Sequence, residues 1–344
     1  MPKLDLQSLD PGGMYDAILG LPRHLREGRE RAGSVDPRFR ADDARCVVIA
    51  GMGGSAIGGD LLAALATSSA RIPVIVSRSY TLPAYVDEST LVVISSFSGN
   101  TEETLAAMEE AQARRARILC IASGGEVAQR AERDDLPLYR LPGGMQPRAA
   151  LGYALSTLLT MAEQIGLISV GDESWEEACS ILESQGAALA NVDENPALAL
   201  ARRLQDRLPF IYSGGRLMAP VNTRWCCQIE ENAKMLAHGA VFPEQNHNEI
   251  VGWDEAFDLH GRIVIVALRD RMDHPRVVRR LDLTRELLAP RAAEWIDVES
   301  RGASDLARML SLIQLGDWTS LYLALIRNVD PTPVRLIDRL KQGL

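Results

Sequence analysis

Apolar positions along the chain recur with two different periods. Short unbroken apolar runs at Cys46–Ala50, Val74–Val76, Leu91–Ser95 and Ile118–Ala122 predict buried strands. Between them, Ala56–Thr67 and Glu102–Arg114 carry apolar residues at helical spacing. Strands alternating with helices make βαβ units and a parallel sheet. Right-handed crossovers then place helices on both faces. Arg148–Ile165 reads as a long apolar helix that closes this first half. Another helix, Trp175–Ala190, precedes the break at Asn195 and Pro196. The pattern then restarts. Phe210–Ser213 is a strand ending in Gly214 and Gly215, and a helix follows through Met235. Strands Ile263–Leu268 and Ala293–Val298 enclose a charged helix, Arg276–Leu288. Helices Asp305–Arg327 and Val334–Lys341 end the chain. Both halves open with strand, glycine turn and helix, the layout of a tandem duplication of one α/β unit. The expected organisation is a first domain over 1–165, a helical connection over 166–194 and a second domain over 195–344.

Length and composition agree with that division. A chain of 344 residues exceeds one comfortable core. Hydrophobic residues make up 47% and aromatics only 5%, so Leu, Ala, Val and Ile must build the cores. The net charge is −9 with basic residues scattered, which argues against a nucleic-acid-binding face. A local site can still attract a small anion. Cysteines stand at 46, 120, 179, 226 and 227. Their odd number and lack of paired spacing disfavour a disulfide framework or a structural zinc, and a cytoplasmic location is expected. The N-terminus has no apolar segment of signal-peptide type. The longest uncharged apolar stretch, 149–162, is too short to span a membrane. The charge-rich runs Arg23–Arg40 and Arg269–Arg285 read as solvated faces and loops.

Two strand-to-helix turns carry chemistry suited to an anion. The first strand runs into Gly51, Gly53, Gly54 and Ser55. Glycine removes the Cβ that would hold a ligand away. The following helix N-terminus offers unpaired N–H groups and about half a positive charge. The third strand runs into Ser96, Ser98 and Thr101, three hydroxyls where one would cap a helix. Asn100 with Glu103 reads as capping chemistry. Ligands of open parallel sheets bind outside the carboxyl ends of strands, so both loops face one crevice. Gly51, Gly53 and Ala56 also fit a dinucleotide fingerprint. The second strand, however, runs into Ser77 and Arg78 without the acidic residue that takes ribose hydroxyls, which weakens a nicotinamide reading.

Together the two loops resemble the sugar isomerase (SIS) domain, whose Ser- and Thr-rich turn binds a ligand phosphate. The second half adds Gln228, Glu231 and Lys234, then the run Gln245, Asn246, His247, Asn248 and Glu249. The tail adds Gly316, Asp317 and Trp318, then Asp330 and Pro331, and ends near Lys341. With these, most of the chain resembles the bifunctional phosphoglucose/phosphomannose isomerase family. The resemblance implies an α/β fold of two SIS-type subdomains, each a parallel sheet flanked by helices in a flavodoxin-like three-layer sandwich. It implies no metal or cofactor, and a homodimer with the site near the subunit interface. Gly53, Gly54 and Ser55 match its first ligand loop, and Ser96, Ser98 and Thr101 its phosphate turn. Arg148 matches an active-site arginine, Glu231 the base and Lys341 the C-terminal lysine. His247 matches the ring-opening histidine, which the family implies comes from the neighbouring subunit.

The chemistry asks for such a set. Interconverting an aldose and a ketose moves a proton between C1 and C2 through an enediol. One carboxylate can take and return that proton, a role worth about 10²–10⁴-fold. A cation such as Arg148 steadies the enediolate. A histidine titrating near neutrality can protonate the ring oxygen, and Lys341 can steady the same hydroxyls. Spacing alone leaves alternatives open. Glu230 neighbours Glu231, about 100° around the helix. Glu231 also precedes Lys234 at ion-pair spacing. His238 competes with His247, while His24, His260 and His274 have surface or capping contexts. Arg148 and Lys341 would otherwise pass for surface charges, and Lys341 is catalytic only if the last helix docks. The expected activity is interconversion of glucose 6-phosphate or mannose 6-phosphate with fructose 6-phosphate. The alternatives are a non-catalytic sugar-phosphate sensor and an enzyme acting on another sugar phosphate. A glutamine-dependent synthase would need an amidotransferase domain with a terminal cysteine, which Met1, Pro2 and Lys3 do not supply.

Overall fold

The structure, a computed structural model, describes residues 6–343. Helices α1 (Leu6–Leu9), α2 (Met14–Leu19) and α3 (Leu21–Gly33) precede strand β1 (Cys46–Ala50). Then follow α4 (Gly53–Ala66), β2 (Val74–Ser77), β3 (Thr90–Ser96), α5 (Glu102–Ala113), β4 (Arg117–Ala122), α6 (Gly125–Arg133), β5 (Leu138–Arg140) and α7 (Leu151–Gln164). Helices α8 (Asp172–Leu189) and α9 (Pro196–Leu204) lead to β6 (Leu208–Gly214), α10 (Ala219–Ala233), β7 (His238–Phe242) and β8 (Ile263–Arg269). The chain continues through α11 (Pro275–Leu288), β9 (Glu294–Glu299), α12 (Asp305–Ile326) and α13 (Arg335–Lys341). Contacts divide it into two units, one over 20–179 and the other over 180–343 with 6–19, so the boundary falls within α8.

The unit over 20–179 holds a parallel sheet in the order β2-β1-β3-β4-β5. Direction of strand addition reverses at β1, which makes the β1/β3 ends the switch point where such sheets bind ligands. Val48, Ala50, Val92, Ile94, Ile118 and Cys120 pack on Ala107, Met108 and Ala111 of α5 and on Val127 and Ala131 of α6. On the opposite face Gly59 of α4 lies against Ile49 and Val76, and Gly58 lies against Leu158 of α7. Burial on both faces is why these strands read as unbroken apolar runs rather than alternating ones.

The second unit holds a parallel sheet in the order β7-β6-β8-β9. Tyr212, Ile265 and Ala267 pack with Leu281 and Leu288 of α11. Helix α12 is long and apolar enough to cross a membrane by length and composition, with mean hydropathy 1.3. It is 89% buried and carries Arg308, Gln314 and Asp317 inside the unit, the pattern of a core helix.

The structure departs from the sequence reading at weakly patterned elements. Strand β5 has only three residues, and β7 is an edge strand that begins with His238 and Gly239. Helix α6 buries only Val127, Ala128 and Ala131, too few to show a long period. The charged run from Arg23 is not wholly solvated, because α3 buries Leu21, His24, Leu25, Gly28 and Ala32. His24 is therefore no surface residue. It stacks on Tyr153 at 4.5 Å, and burial pushes its pKa down to about 4, leaving it neutral at neutral pH. His260 is likewise buried and stacks on Trp253 at 4.5 Å. His274 does cap α11, its Nδ1 accepting from the Arg276 amide at 3.1 Å. Similarly, Leu281, Thr284 and Leu288 bury one face of the charged helix α11.

Candidate active site

In the first unit the two glycine- and hydroxyl-rich loops stand side by side at the β1/β3 ends. Ser55, buried at the start of α4, accepts a hydrogen bond on Oγ from the Phe97 amide at 3.0 Å, which ties the loops together. A Cβ on Gly54 would stand 3.0 Å from the Pro147 carbonyl and 3.2 Å from the Arg148 nitrogen. Glycine there lets the loop lie directly on the turn that carries Arg148. That guanidinium is buried, with 4% exposure, and is not the plain surface charge its sequence context allowed.

The second loop is organised by its own hydroxyls. Ser96 Oγ donates to Thr101 Oγ1 at 2.9 Å and accepts from the Gly99 amide at 3.2 Å. Ser98 Oγ accepts from the Asn100 amide at 3.2 Å. Gly99 has φ of +71°, and a Cβ there would lie 1.8 Å from the Gly124 carbonyl oxygen, so only glycine fits. The β4–α6 loop buttresses this turn from behind. The Val127 amide donates to the Gly99 carbonyl, and the Ser123 amide to the Phe97 carbonyl, both at 2.9 Å. Asn100 does not cap α5 as its spacing with Glu103 suggested. Thr101 is the N-cap residue but its side chain makes no capping bond to α5, and Asn100 Oδ1 accepts from the Glu126 amide at 2.9 Å. The neighbouring loop competes for that side chain and wins. This buttress was missed in the sequence, although the apolar run ending in Ser123, Gly124 and Gly125 repeats the signature of the first loop.

The result is a cradle of backbone N–H groups and hydroxyls at the start of α4 and α5, with Arg148 alongside the first loop. Such a cradle suits a compact oxyanion. A dinucleotide is less well served: β2 ends without an acidic residue of its own, and Arg78 just beyond it is paired with Asp60.

In the second unit Glu231 lies near the end of α10, whose other residues clamp it to α12. Arg224 donates to both carboxylate oxygens of Asp317, from Nε at 3.0 Å and Nη2 at 2.7 Å. Gln228 adds a bond to the same carboxylate at 2.9 Å, and Asn232 donates to Ser320 Oγ at 2.9 Å. At about 100° per residue, positions 224, 228 and 232 fall on one stripe, with 231 on its flank and 230 turned away. Burial agrees, since Glu231 is half-buried and Glu230 exposed. Desolvation raises the Glu230 carboxyl above its ordinary range. Lys234 ends the helix in a left-handed conformation, and its ammonium donates to the backbone carbonyls of Glu231 and Pro331.

His247 ends a 3-10 turn, Glu244–His247, with its side chain exposed. Its competitor His238 is engaged: Nε2 lies 2.8 Å from Glu249 Oε2, and that bond raises its pKa. Lys341 is exposed on α13, a helix that buries none of its residues. The structure thus brings Gly53, Gly54, Ser55, Ser96, Ser98, Thr101 and Arg148 to one end of one sheet. Glu231, His247 and Lys341 sit on three separate elements of the other unit.

Residues 193–344 match the bacterial phospho-glucose isomerase C-terminal SIS domain, and residues 42–159 match the SIS domain. A bifunctional phosphoglucose/phosphomannose isomerase of Caldicellulosiruptor bescii is 42% identical over 334 residues, covering 96% of this chain and 98% of that protein. The chain belongs to the bifunctional phosphoglucose/phosphomannose isomerase family. Another protein of that name, from Aquifex aeolicus, is 38% identical over 87% of this chain and 90% of its own. The crystal structure of a glucose-6-phosphate isomerase like protein from Thermus thermophilus shares the fold, with a TM-score of 0.64 at 22% identity, over 98% of this chain and all of that one. Membership makes the chain an isomerase built from SIS domains. It also accounts for the two-sheet layout, since one SIS-type sheet falls in each matched segment.

Proposed function

We propose that this isomerase interconverts glucose 6-phosphate and mannose 6-phosphate with fructose 6-phosphate. The observation that carries the reading is the Ser96–Thr101 turn. Its hydroxyls and amides are bonded into one polar turn at the β1/β3 switch point, next to the loop that opens α4, a setting whose polarity suits a phosphate. The family supplies the sugar that such a phosphate belongs to.

In this reading Gly53, Gly54, Ser55, Ser96, Ser98 and Thr101 anchor the substrate and do no chemistry. Glu231 moves the proton between C1 and C2 through an enediol, and Arg148 stabilises the negative charge that develops. His247 protonates the ring oxygen, and Lys341 steadies the same hydroxyls. A carboxylate that carries its own proton between adjacent carbons calls for no metal and no redox cofactor. The exposure of His247 and of α13 supports a homodimer in which each copy lends its histidine to the other. The expected partners are a sugar phosphate and a second copy, with neither nucleic acid nor membrane, in the cytoplasm. A sensor would need the cradle but not Glu231, His247 and Lys341.

A coupled assay with each aldose phosphate in excess EDTA tests this. Turnover of both, at rates indifferent to EDTA, is the expected result. Turnover of neither would mean a sensor or another sugar, and loss in EDTA would mean a metal-assisted step.

A further inference from the structure

Glu249 follows His247 by two residues and opens the 3-10 turn Glu249–Trp253. Both of its carboxylate oxygens are engaged. The Tyr212 phenol donates to Oε1, and His238 Nε2 lies 2.8 Å from Oε2. Tyr212 is fully buried in β6, and His238 begins the adjoining strand β7. One carboxylate therefore pins the loop to two neighbouring strands. Ahead of His247, Asn246 Nδ2 donates to Thr284 Oγ1 of α11 at 2.9 Å, and Arg280 donates to Asn246 Oδ1 at 3.3 Å. Behind it, Asn248 donates to Glu244 Oε1 at 2.9 Å and accepts from the Glu249 amide at 2.6 Å. The residues on either side of His247 are held, while its imidazole is exposed. An ordinary surface ion pair contributes about 0–1 kcal/mol and needs no buried phenol. This one commits a buried donor to the loop, and burial with the Glu249 charge raises the Tyr212 pKa, so that the phenol keeps its proton.

We propose that Glu249 is a positioning residue for His247: held by Tyr212 and His238, its carboxylate sets the place and direction from which the imidazole reaches the sugar ring. The proposal rests on His247 being the ring-opening acid. It also gives His238 a task of its own, as a brace on the Glu249 carboxylate. The leverage is large, because misplacing a catalytic group by about 1 Å can cost about 10²-fold.

A double-mutant cycle on the full-length enzyme tests it, with Glu249→Gln made in the native chain and in His247→Ala. Glutamine keeps an acceptor for Tyr212 but removes the charge that holds His238. In the native chain it should lower kcat by roughly 10- to 100-fold with KM nearly unchanged. In the His247→Ala background the same substitution should change kcat by no more than about twofold. His238→Gln, at an exposed position, should give a smaller loss that also vanishes without His247. It serves as the second arm if thermal melts show Glu249→Gln to be unfolded. Equal losses in both backgrounds would mean a purely structural role and overturn the proposal, as would full activity of Glu249→Gln. Full activity of His247→Ala would instead overturn the underlying role of His247, and with it the proposal.

Discussion

Glu231→Gln is expected to remove nearly all isomerase activity and leave the fold in place. The side chain is half-buried on the flank of the α10–α12 contact, and the amide is almost isosteric with the carboxylate. Lys234 contacts the Glu231 backbone carbonyl, which the substitution keeps. What the amide lacks is the ability to take a proton from carbon and return it. General-base catalysis of this kind is worth about 10²–10⁴-fold, and kcat should fall by at least that range. KM should change little if, as proposed, Ser55, Ser96, Ser98 and Thr101 anchor the phosphate. Glu230→Gln is the internal control. That side chain is exposed on the far side of the helix, and its loss should change kcat only modestly. Steady-state kinetics on both variants, with thermal melts beside them, reads the result. Near-native turnover in Glu231→Gln, or a collapse confined to Glu230→Gln, would reassign the base.

The second large effect is on stability. Asp317 and Arg224 are both 4% exposed, and the carboxylate takes two bonds from the guanidinium and one from Gln228. Burial alone raises the Asp317 pKa, and the arginine acts against it by favouring the charged form. Asp317→Ala would strand the guanidinium in the interior. Removing one partner of a buried pair costs about 3–5 kcal/mol. For a unit of this size that corresponds to a fall of the melting midpoint on the order of 10 °C. Replacing both partners by apolar residues, as in Arg224→Met with Asp317→Leu, should recover much of the loss, because the desolvation penalty disappears with the charges. Calorimetry on the single and double variants checks both statements. A single variant as stable as the native chain would show that the pair does not hold α10 on α12.

This clamp also shows what could be read in the sequence and what could not. The unbroken apolar runs Cys46–Ala50, Leu91–Ser95 and Ile263–Leu268 became β1, β3 and β8 because burial on both faces leaves no polar positions. The two loops were legible as strand-to-helix turns, since Gly53, Gly54 and Ser55, and Ser96, Ser98 and Thr101, interrupt an apolar run just where helical spacing begins. Arg224 and Asp317 were not legible as a pair. They lie far apart in the chain, and each has the composition of a surface residue until the partner neutralises it. The same holds for His24 and His260, whose burial depends on stacking with Tyr153 and Trp253. Asn100 was misread because a local capping pattern cannot reveal a competing amide from another loop. The choice between Glu230 and Glu231 was open by spacing. The stripe formed by Arg224, Gln228 and Asn232 puts Glu231 on its flank and Glu230 on the exposed side, a difference in burial that becomes visible only once α12 is in place.

The proton-transfer reading is tested most directly by running the reaction from fructose 6-phosphate in D₂O with excess EDTA and following the products by NMR. A carboxylate that holds the transferred proton exchanges part of it with solvent before returning it. The account predicts both glucose 6-phosphate and mannose 6-phosphate, each carrying deuterium at C2. Products with only protium at C2 would contradict transfer through a carboxylate that exchanges with solvent, and the appearance of neither aldose phosphate would contradict the assigned substrate.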